Sequence, residues 1–215
     1  MSSPSFAANT GWRNSRTWTY LLALIASVAA LVVSFVISAE TLQMARNPES
    51  KLSCDINSTL SCTTVAQSWQ SEIVHFGNMS FPNAFLGISV ESVFVTIAVV
   101  GLMGVSVPRW FARASWLGSF AAFIYAYWLF SQSIFVIKAL CPWCLVLTFS
   151  ATIQFMAFSH ASVSVQGLPL AEERFGALGR ALRKYYRLHF DLMVDAVWIA
   201  AMVALVLVNY SSAIF

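Results

Sequence analysis

The chain has 215 residues, of which 59% are hydrophobic and only 10% are charged, whereas about a quarter of the residues of a soluble domain are charged. Several apolar runs reach the roughly 20 residues that a helix needs to cross a bilayer. This excludes a soluble globular domain and predicts an all-α integral membrane protein. The net charge of +3 is small, and no nucleic acid is expected as a partner.

Five apolar runs are each predicted to form a transmembrane helix, because backbone groups in lipid must be satisfied within their own segment. The runs cover residues 20–39, 85–105, 116–137, 140–158 and 192–214. The predicted organisation is a tail (1–19), a four-helix core (20–158) with a long loop (40–82), a connector (159–191) and a fifth helix (192–215). Apolar and basic residues interleave at helical spacing in the connector, which favours an amphipathic helix on the membrane face over a solvated linker.

The basic residues are divided unevenly between the loops. Nine of the twelve lie in the tail, in the loop between the second and third helices, and in the connector, and five crossings place these segments on one side. Lys and Arg are enriched in cytoplasmic loops, so we expect the N-terminus inside and the C-terminus outside. All four cysteines then lie on the outer side, which is where disulfides persist.

Cys141-Pro142-Trp143-Cys144 is a C-x-x-C motif at the predicted start of the fourth helix. A helix N-terminus favours a thiolate, and proline suits the first helical turn. Lys138, three residues upstream, would add positive charge beside Cys141. This position at the membrane boundary suits electron exchange with a lipid-soluble acceptor.

Cys54 and Cys62 bracket a short polar segment of the long loop. A local disulfide there would give only modest stability in the entropic model. A second redox pair near the C-x-x-C would instead make a relay, because a thiolate attacks a disulfide through a mixed disulfide. Four cysteines are also compatible with one metal site, but the Cys54–Cys62 spacing is not that of a zinc knuckle, and no metal is expected.

Together these motifs resemble the bacterial members of the vitamin K epoxide reductase family. The resemblance is carried by the Cys54 and Cys62 pair, by Phe81-Pro82-Asn83-Ala84-Phe85-Leu86-Gly87 at the start of the second helix, and by Cys141-Pro142-Trp143-Cys144 on the fourth. It implies a four-helix bundle around a quinone with a fifth helix added, in a bacterial cytoplasmic membrane. The quinone would be menaquinone or ubiquinone.

The resemblance also implies roles for individual residues. Cys144 would lie next to the quinone, and Cys141 would exchange with Cys62. Cys54 would exchange with the thiol partner, and Asn83 would bond a quinone carbonyl.

Three further polar residues are candidates for the quinone site. Ser68 matches a family serine near the active site. Thr148 stands where vertebrate members carry a tyrosine, so their epoxide reduction is not implied. Glu91 is an ionisable residue within a spanning helix, which is a functional hypothesis by default. It would relay a proton or line the pocket, with a purely packing role as the alternative.

The predicted function is a quinone-dependent thiol–disulfide oxidoreductase. It would reoxidise a separate DsbA-like thioredoxin-fold protein on the outer side, pass electrons to the quinone and so support disulfide formation in exported proteins. A thiol-driven quinone or quinone-epoxide reductase, and a non-catalytic membrane scaffold stapled by disulfides, are the alternatives. DsbB-type oxidases perform similar chemistry, but their quinone-proximal C-x-x-C comes first in the sequence, whereas here it comes last.

Overall fold

The computed structural model describes residues 11–47, 52–57, 59–76, 79–105, 107–168 and 176–214. Parts of the predicted tail, long loop and connector lie outside these residues. Within them, five helices are long and apolar enough to cross a membrane. They are α1 (Arg16–Arg46), α3 (Asn83–Leu102), α4 (Arg109–Gln132), α5 (Pro142–Ser164) and α7 (Phe190–Ile214). The predicted all-α, multi-pass membrane fold is confirmed.

Helix α1 is the centre of the bundle and packs against both α3 and α5. Small residues allow this close approach, as they do between membrane helices generally. A Cβ atom on Gly101 would come within 2.3 Å of the buried ring of Tyr20, so the backbone of α3 lies almost directly on that ring. Helix α4 packs mainly on α5 and has few contacts with α3, which leaves a space between α3 and α4.

Helix α7 lies outside these four helices and packs along α4 and the turn that follows it. The indole of Trp198 donates a hydrogen bond to the Tyr127 hydroxyl at 2.7 Å, and Tyr127 bonds the Thr152 hydroxyl at 3.0 Å. Val206 and Tyr210 join the apolar cluster around Phe130. Aromatic packing on α4 therefore attaches the fifth helix to the bundle.

Two ends of the bundle can be distinguished by their residues. The cysteine end carries the loop between α1 and α3 and the start of α5. The opposite end carries α6 (Gly176–Arg187). There Asp191 accepts from Arg13 at 3.2 Å, and the same carboxylate oxygen lies 3.5 Å from His160 Nδ1. Asn14 contacts the other ring nitrogen of His160 at 2.7 Å. These contacts join the N-terminal segment, α5 and α7.

The loop at the cysteine end has more structure than the sequence indicated. Helix α1 continues to Arg46, past the predicted end at residue 39, and α3 already begins at Asn83. Between them lie α2 (Cys62–Ala66), a 3₁₀ turn (Trp69–Ser71), and the antiparallel strands β1 (Glu72–Phe76) and β2 (Met79–Pro82). This compact loop covers the end of the bundle.

Candidate active site

Backbone pairing holds the loop against the start of α5. Leu60 and Leu140 form an isolated parallel bridge. The Leu140 N–H donates to the Thr59 carbonyl at 2.8 Å, and the Ser61 N–H donates to the Leu140 carbonyl at 3.1 Å. Cys141 directly follows the bridge in one segment and Cys62 comes two residues after it in the other, so the pairing brings these two cysteines together.

Three sulfur atoms meet at this point. Cys54 and Cys62 form a disulfide, whereas Cys141 and Cys144 are free thiols. The Sγ atoms of Cys62 and Cys141 are 3.0 Å apart. A disulfide sulfur carries no hydrogen, so only Cys141 can donate across this contact or, as a thiolate, attack. The geometry is that of two redox pairs poised for thiol–disulfide exchange.

The Sγ atoms of Cys54, Cys62 and Cys141 all lie within 4.8 Å of one another. Such a cluster resembles part of a metal site when all three are thiolates. Structural zinc takes four ligands in a tetrahedral array, and here two of the three sulfurs are joined to each other. In this oxidation state the cluster is therefore suited to exchange and not to metal binding.

Cys141 caps the N-terminus of α5, with Pro142 in the first turn. The Cys144 N–H donates to Cys141 Sγ at 3.3 Å. The pKa of Cys141 is lowered, and the largest cause is the hydrogen bond from the Cys144 side chain. Burial raises the pKa, whereas the backbone N–H groups of Cys144 and Trp143 lower it further. The Cys144 side chain and the N–H groups at the helix N-terminus therefore favour the thiolate form of Cys141.

Asp55 holds the loop closed around the disulfide. Its carboxylate accepts from the Thr63 N–H at 3.0 Å, from the Thr63 hydroxyl at 2.5 Å and from the Ser61 hydroxyl at 3.0 Å. Burial raises the pKa of Asp55, but these hydrogen bonds, together with one from the Cys62 backbone, outweigh burial and lower it. The residue after Cys54 thus bonds the residues on both sides of Cys62.

Glu40, near the end of α1, holds the other side of the loop. Its carboxylate accepts from the Ser53 N–H at 3.2 Å, and its second oxygen lies 3.8 Å from Cys54 Sγ. Its negative charge raises the pKa of Cys141, but the hydrogen bonds to Cys141 lower that pKa by more. Glu40 is thus a second acidic group beside the three-sulfur cluster, in addition to Asp55.

A cavity of about 1110 Å³ begins at these cysteines and runs between α3 and α4. Cys62, Cys141 and Cys144 line one end, and its wall follows α3 from Asn83 to Ile97, which corresponds to about 20 Å along a helix axis. Most of its lining is apolar with a few polar groups, as is usual for sites that bind small organic molecules.

Asn83 lies in the cavity wall with its amide held on two sides. Its Nδ2 donates to the Gln70 carbonyl at 2.5 Å, and its Oδ1 accepts from the Tyr125 hydroxyl at 2.8 Å. Gln70 in turn donates to Gln132 at 3.4 Å. The amide therefore joins the loop, α3 and α4.

The other predicted residues divide into those that line the cavity and one that does not. Ser68 and Thr148 line the cavity, but each hydroxyl is bonded to a nearby backbone carbonyl. Ser68 donates to the Val65 carbonyl at 2.6 Å, and Thr148 donates to the Cys144 carbonyl at 2.9 Å. Lys138 has left-handed backbone geometry and an exposed side chain, away from the cavity lining.

Glu91 is buried and lines the middle of the cavity. Gln154 on α5 donates to it at 2.7 Å and bonds the Ser27 hydroxyl on α1 at 2.8 Å. No cation pairs with Glu91 among the described residues. A carboxyl group that can hold or release a proton therefore faces the cavity, fixed by a buried amide.

Ser34 provides an observation that tests whether a quinone fits this cavity. Its hydroxyl is buried, lines the cavity and has no hydrogen-bond partner within the described part of the chain. A Cβ on Gly87 would come within 2.5 Å of it, so glycine keeps this hydroxyl accessible. An unpaired buried hydroxyl in an apolar cavity that ends at a thiol pair suits a ligand with carbonyl oxygens.

Several residues of the site carry little or no signal in the sequence. Asp55 directly follows a cysteine, a position that could have suggested it. Glu40 directly follows the predicted first helix, and its position there gives no indication of a role. Nothing in the sequence distinguishes Ser34 or Gln154 from other residues of apolar helices, because what they face lies on other helices.

A family model described as "Vitamin K epoxide reductase family" matches residues 21–159. This range contains the loop, the four cysteines, and helices α1 to α5 apart from their outermost residues. No curated protein gave a significant match.

Proposed function

Because the chain belongs to the vitamin K epoxide reductase family, and is thus a membrane thiol–disulfide oxidoreductase, we propose that it reoxidises a DsbA-like thioredoxin-fold protein and passes the electrons to a membrane quinone. The observation that carries this proposal is the 3.0 Å contact between Cys62 and Cys141 at the mouth of the cavity. It joins a loop disulfide to a thiol pair beside an apolar space.

The first exchange takes electrons from the partner. A partner thiolate attacks Cys54 Sγ, and Cys62 leaves as a thiolate. The second partner thiol then displaces Cys54 from the mixed disulfide. The partner leaves as a disulfide, and Cys54 and Cys62 hold the two electrons as thiols.

The second exchange transfers these electrons into the bundle. The Cys62 thiolate attacks Cys141 of a Cys141–Cys144 disulfide and expels Cys144, and Cys54 then displaces Cys141. The products are a Cys54–Cys62 disulfide and two thiols at Cys141 and Cys144, which is the oxidation state of this structure. The pair beside the cavity is then reduced and ready to donate.

Residues of this chain would hold the quinone and supply its protons. Asn83 and Ser34 offer hydrogen-bond donors to ring carbonyls, Cys144 lies at the thiol end, and Glu91 can exchange a proton. A bound quinone would accept two electrons and two protons. Menaquinone and ubiquinone both provide two ring carbonyls and an isoprenoid tail that suits the long apolar part of the cavity.

We further propose that the cysteine end faces the outside of a bacterial cytoplasmic membrane. The loops at the opposite end carry Arg109, Arg113 and the basic residues of α6, whereas basic residues are sparse at the cysteine end. Positive loops are retained in the cytoplasm. The predicted division into a core, a basic connector and a fifth helix remains part of this proposal.

In a thiol-driven quinone reductase the same electrons would follow the same path, and the two functions differ in which product the cell requires. A scaffold with structural disulfides is less well supported, because a static staple does not need a third sulfur 3.0 Å from it.

The test is quinone-dependent oxidation of a reduced DsbA-type protein by the purified chain, with short-tailed menaquinone and ubiquinone as acceptors. Cys144→Ala should abolish turnover, because the last thiol pair can no longer form. Ser89→Ala is the control, because Ser89 is exposed on α3 and its hydroxyl bonds only its own helix. A wild-type protein that turns over with neither quinone would refute the oxidase function.

A further inference from the structure

The tyrosine that bonds Asn83 has a defined place in the site. Tyr125 is on α4, 42 residues from Asn83 in sequence, and it is the one tyrosine among the described residues that line the large cavity. Its ring stacks on Trp128 with a centroid distance of 5.8 Å and an interplanar angle of 22°. Trp128 in turn contacts Trp69 of the loop edge-on at 6.2 Å. The phenol is thus held in one orientation.

The hydrogen-bond donors and acceptors around Asn83 fix which way its amide points. The Gln70 carbonyl can only accept, so Nδ2 must face it. The amide oxygen then faces Tyr125, whose hydroxyl must donate. An amide nitrogen has two N–H groups, and the second is not engaged by any described residue. Tyr125 therefore occupies the Asn83 amide oxygen, and one N–H of the amide nitrogen remains available to donate to a ligand.

We propose that Tyr125 is a positioning residue that makes Asn83 a hydrogen-bond donor to a quinone carbonyl, and that it thereby favours the oxidised quinone over the quinol. This inference rests on the proposed function. A donor that bonds the amide oxygen polarises the amide and strengthens its N–H groups, because linked hydrogen bonds reinforce one another. A quinone carbonyl is an acceptor and gains from this arrangement.

The quinol gains less than the quinone. Its ring hydroxyl is best bonded by an acceptor, and Tyr125 already occupies the Asn83 oxygen that could accept from it. Removing the tyrosine hydroxyl frees this oxygen for the quinol and weakens the N–H for the quinone. Removal of the hydroxyl should therefore change the ratio of the quinone and quinol affinities. If Tyr125 only packed α4 against the loop, its substitution would affect both ligands alike.

The experiment measures binding, not turnover. The full chain is first oxidised so that both cysteine pairs are disulfides and no electrons can reach the ligand. Short-tailed menaquinone is titrated by the quenching of tryptophan fluorescence, and the same quinone in its quinol form competes under anaerobic conditions. The variants are Tyr125→Phe, Asn83→Ala and the double variant, each with its thermal unfolding midpoint.

Tyr127→Phe is the matched control. Tyr127 lies on the same helix and also has a bonded hydroxyl, but it lines a different, smaller cavity. The partners of this hydroxyl are Thr152, Trp198 and Met202. Its loss should leave quinone affinity unchanged even if it lowers stability.

For Tyr125→Phe we expect the quinone Kd to rise about threefold to tenfold, as for loss of one hydrogen bond, with the quinol Kd unchanged or lower. In the Asn83→Ala background the same substitution should have no further effect. Equal weakening of quinone and quinol, or additive effects of the two substitutions, would overturn the inference while leaving the proposed function intact. A wild-type chain that binds no quinone would instead refute the quinone part of the proposed function, and the inference would fall with it.

Discussion

Replacing Cys144 by serine should trap the relay between its two pairs. In this variant Cys141 can still attack Cys62, which releases Cys54 as a thiol and forms a Cys62–Cys141 disulfide. No thiol at position 144 then resolves this bond. The exchange only moves a disulfide from one pair of sulfurs to another, so it requires no added oxidant.

The structure indicates how much of this product to expect. The two sulfurs are 3.0 Å apart, so they need to approach by only about 1 Å to reach bonding distance. Because the bridge at Leu60 and Leu140 already aligns both backbones, the two disulfide isomers should differ by no more than about 1.4 kcal/mol, which is a factor of about ten. About a tenth to nine tenths of the protein should therefore carry the Cys62–Cys141 bond.

The assay is rapid acid quenching, alkylation of free thiols and mass spectrometry of unreduced peptides. The Cys141→Ser variant is the control and should retain only the Cys54–Cys62 disulfide. Less than about one per cent of the cross-linked peptide, more than tenfold below the expected range, would refute the view that this contact is an exchange geometry.

The rate of trapping should depend on pH through Cys141. The pKa of Cys141 is lowered, with the hydrogen bond from the Cys144 side chain as the first cause. A serine hydroxyl at position 144 can still donate to the thiolate, whereas an alanine cannot. The exchange rate should therefore rise with pH in both variants and reach its midpoint at a lower pH in Cys144→Ser than in Cys144→Ala. Equal midpoints would show that this hydrogen bond does not control the thiolate.

Three further changes test the surroundings of the relay. Asp55→Asn should lower the free energy of unfolding by about 1 kcal/mol, a small value because the carboxylate is partly exposed. Since the pKa of Asp55 is lowered in the folded protein, its stabilising contribution in the wild type is present above about pH 4 and is lost as pH falls through the folded-state pKa. The unfolding midpoints of wild type and variant should therefore converge in acid. Glu40→Gln should move the pH midpoint of Cys141 exchange downward, because the Glu40 charge raises the pKa of Cys141; an upward shift would contradict this reading. Gly101→Ala should cost about 1–3 kcal/mol through overpacking against a buried tyrosine ring, whereas in Gly118→Ala the added carbon meets its nearest atom at an ordinary 3.6 Å and unfolding should change little.

Hydropathy was sufficient to predict the membrane part of the fold, because a spanning helix is determined by its own composition. The start of α5 was also predictable, since Cys141 and Pro142 form a cap and a first turn within one short segment. Local sequence specifies such features without reference to the rest of the chain.

The loop could not be predicted in the same way. Strands β1 and β2 have only five and four residues, and their formation depends on the bundle end beneath them. The bridge between Leu60 and Leu140 joins residues 80 positions apart in sequence, and no periodicity reports such a pairing. The proximity of Cys62 and Cys141 was therefore expected from the family resemblance, and spacing alone left the pairing open.

Glu91 allows proton transfer to be separated from electron transfer. It is 5% exposed, lines the cavity and is bonded by Gln154 at 2.7 Å. Glu91→Gln keeps the shape and the hydrogen bond from Gln154 but removes the exchangeable proton. If Glu91 supplies protons, quinone reduction should fall by about a hundredfold, the lower range for general acid–base catalysis.

The two cysteine exchanges should be unaffected by this substitution. The trapping of Cys62–Cys141 in a Cys144→Ser background should therefore proceed at an unchanged rate in the Glu91→Gln variant. Gln154→Leu is the companion variant, because it removes the amide that fixes Glu91 and leaves the carboxyl group in place. Full quinone turnover in Glu91→Gln, with an unchanged unfolding midpoint, would assign Glu91 to helix packing alone. Loss of turnover together with loss of trapping would place the defect in the fold, because Glu91 lies deeper in the bundle than the sulfur contact and has no direct means of affecting it.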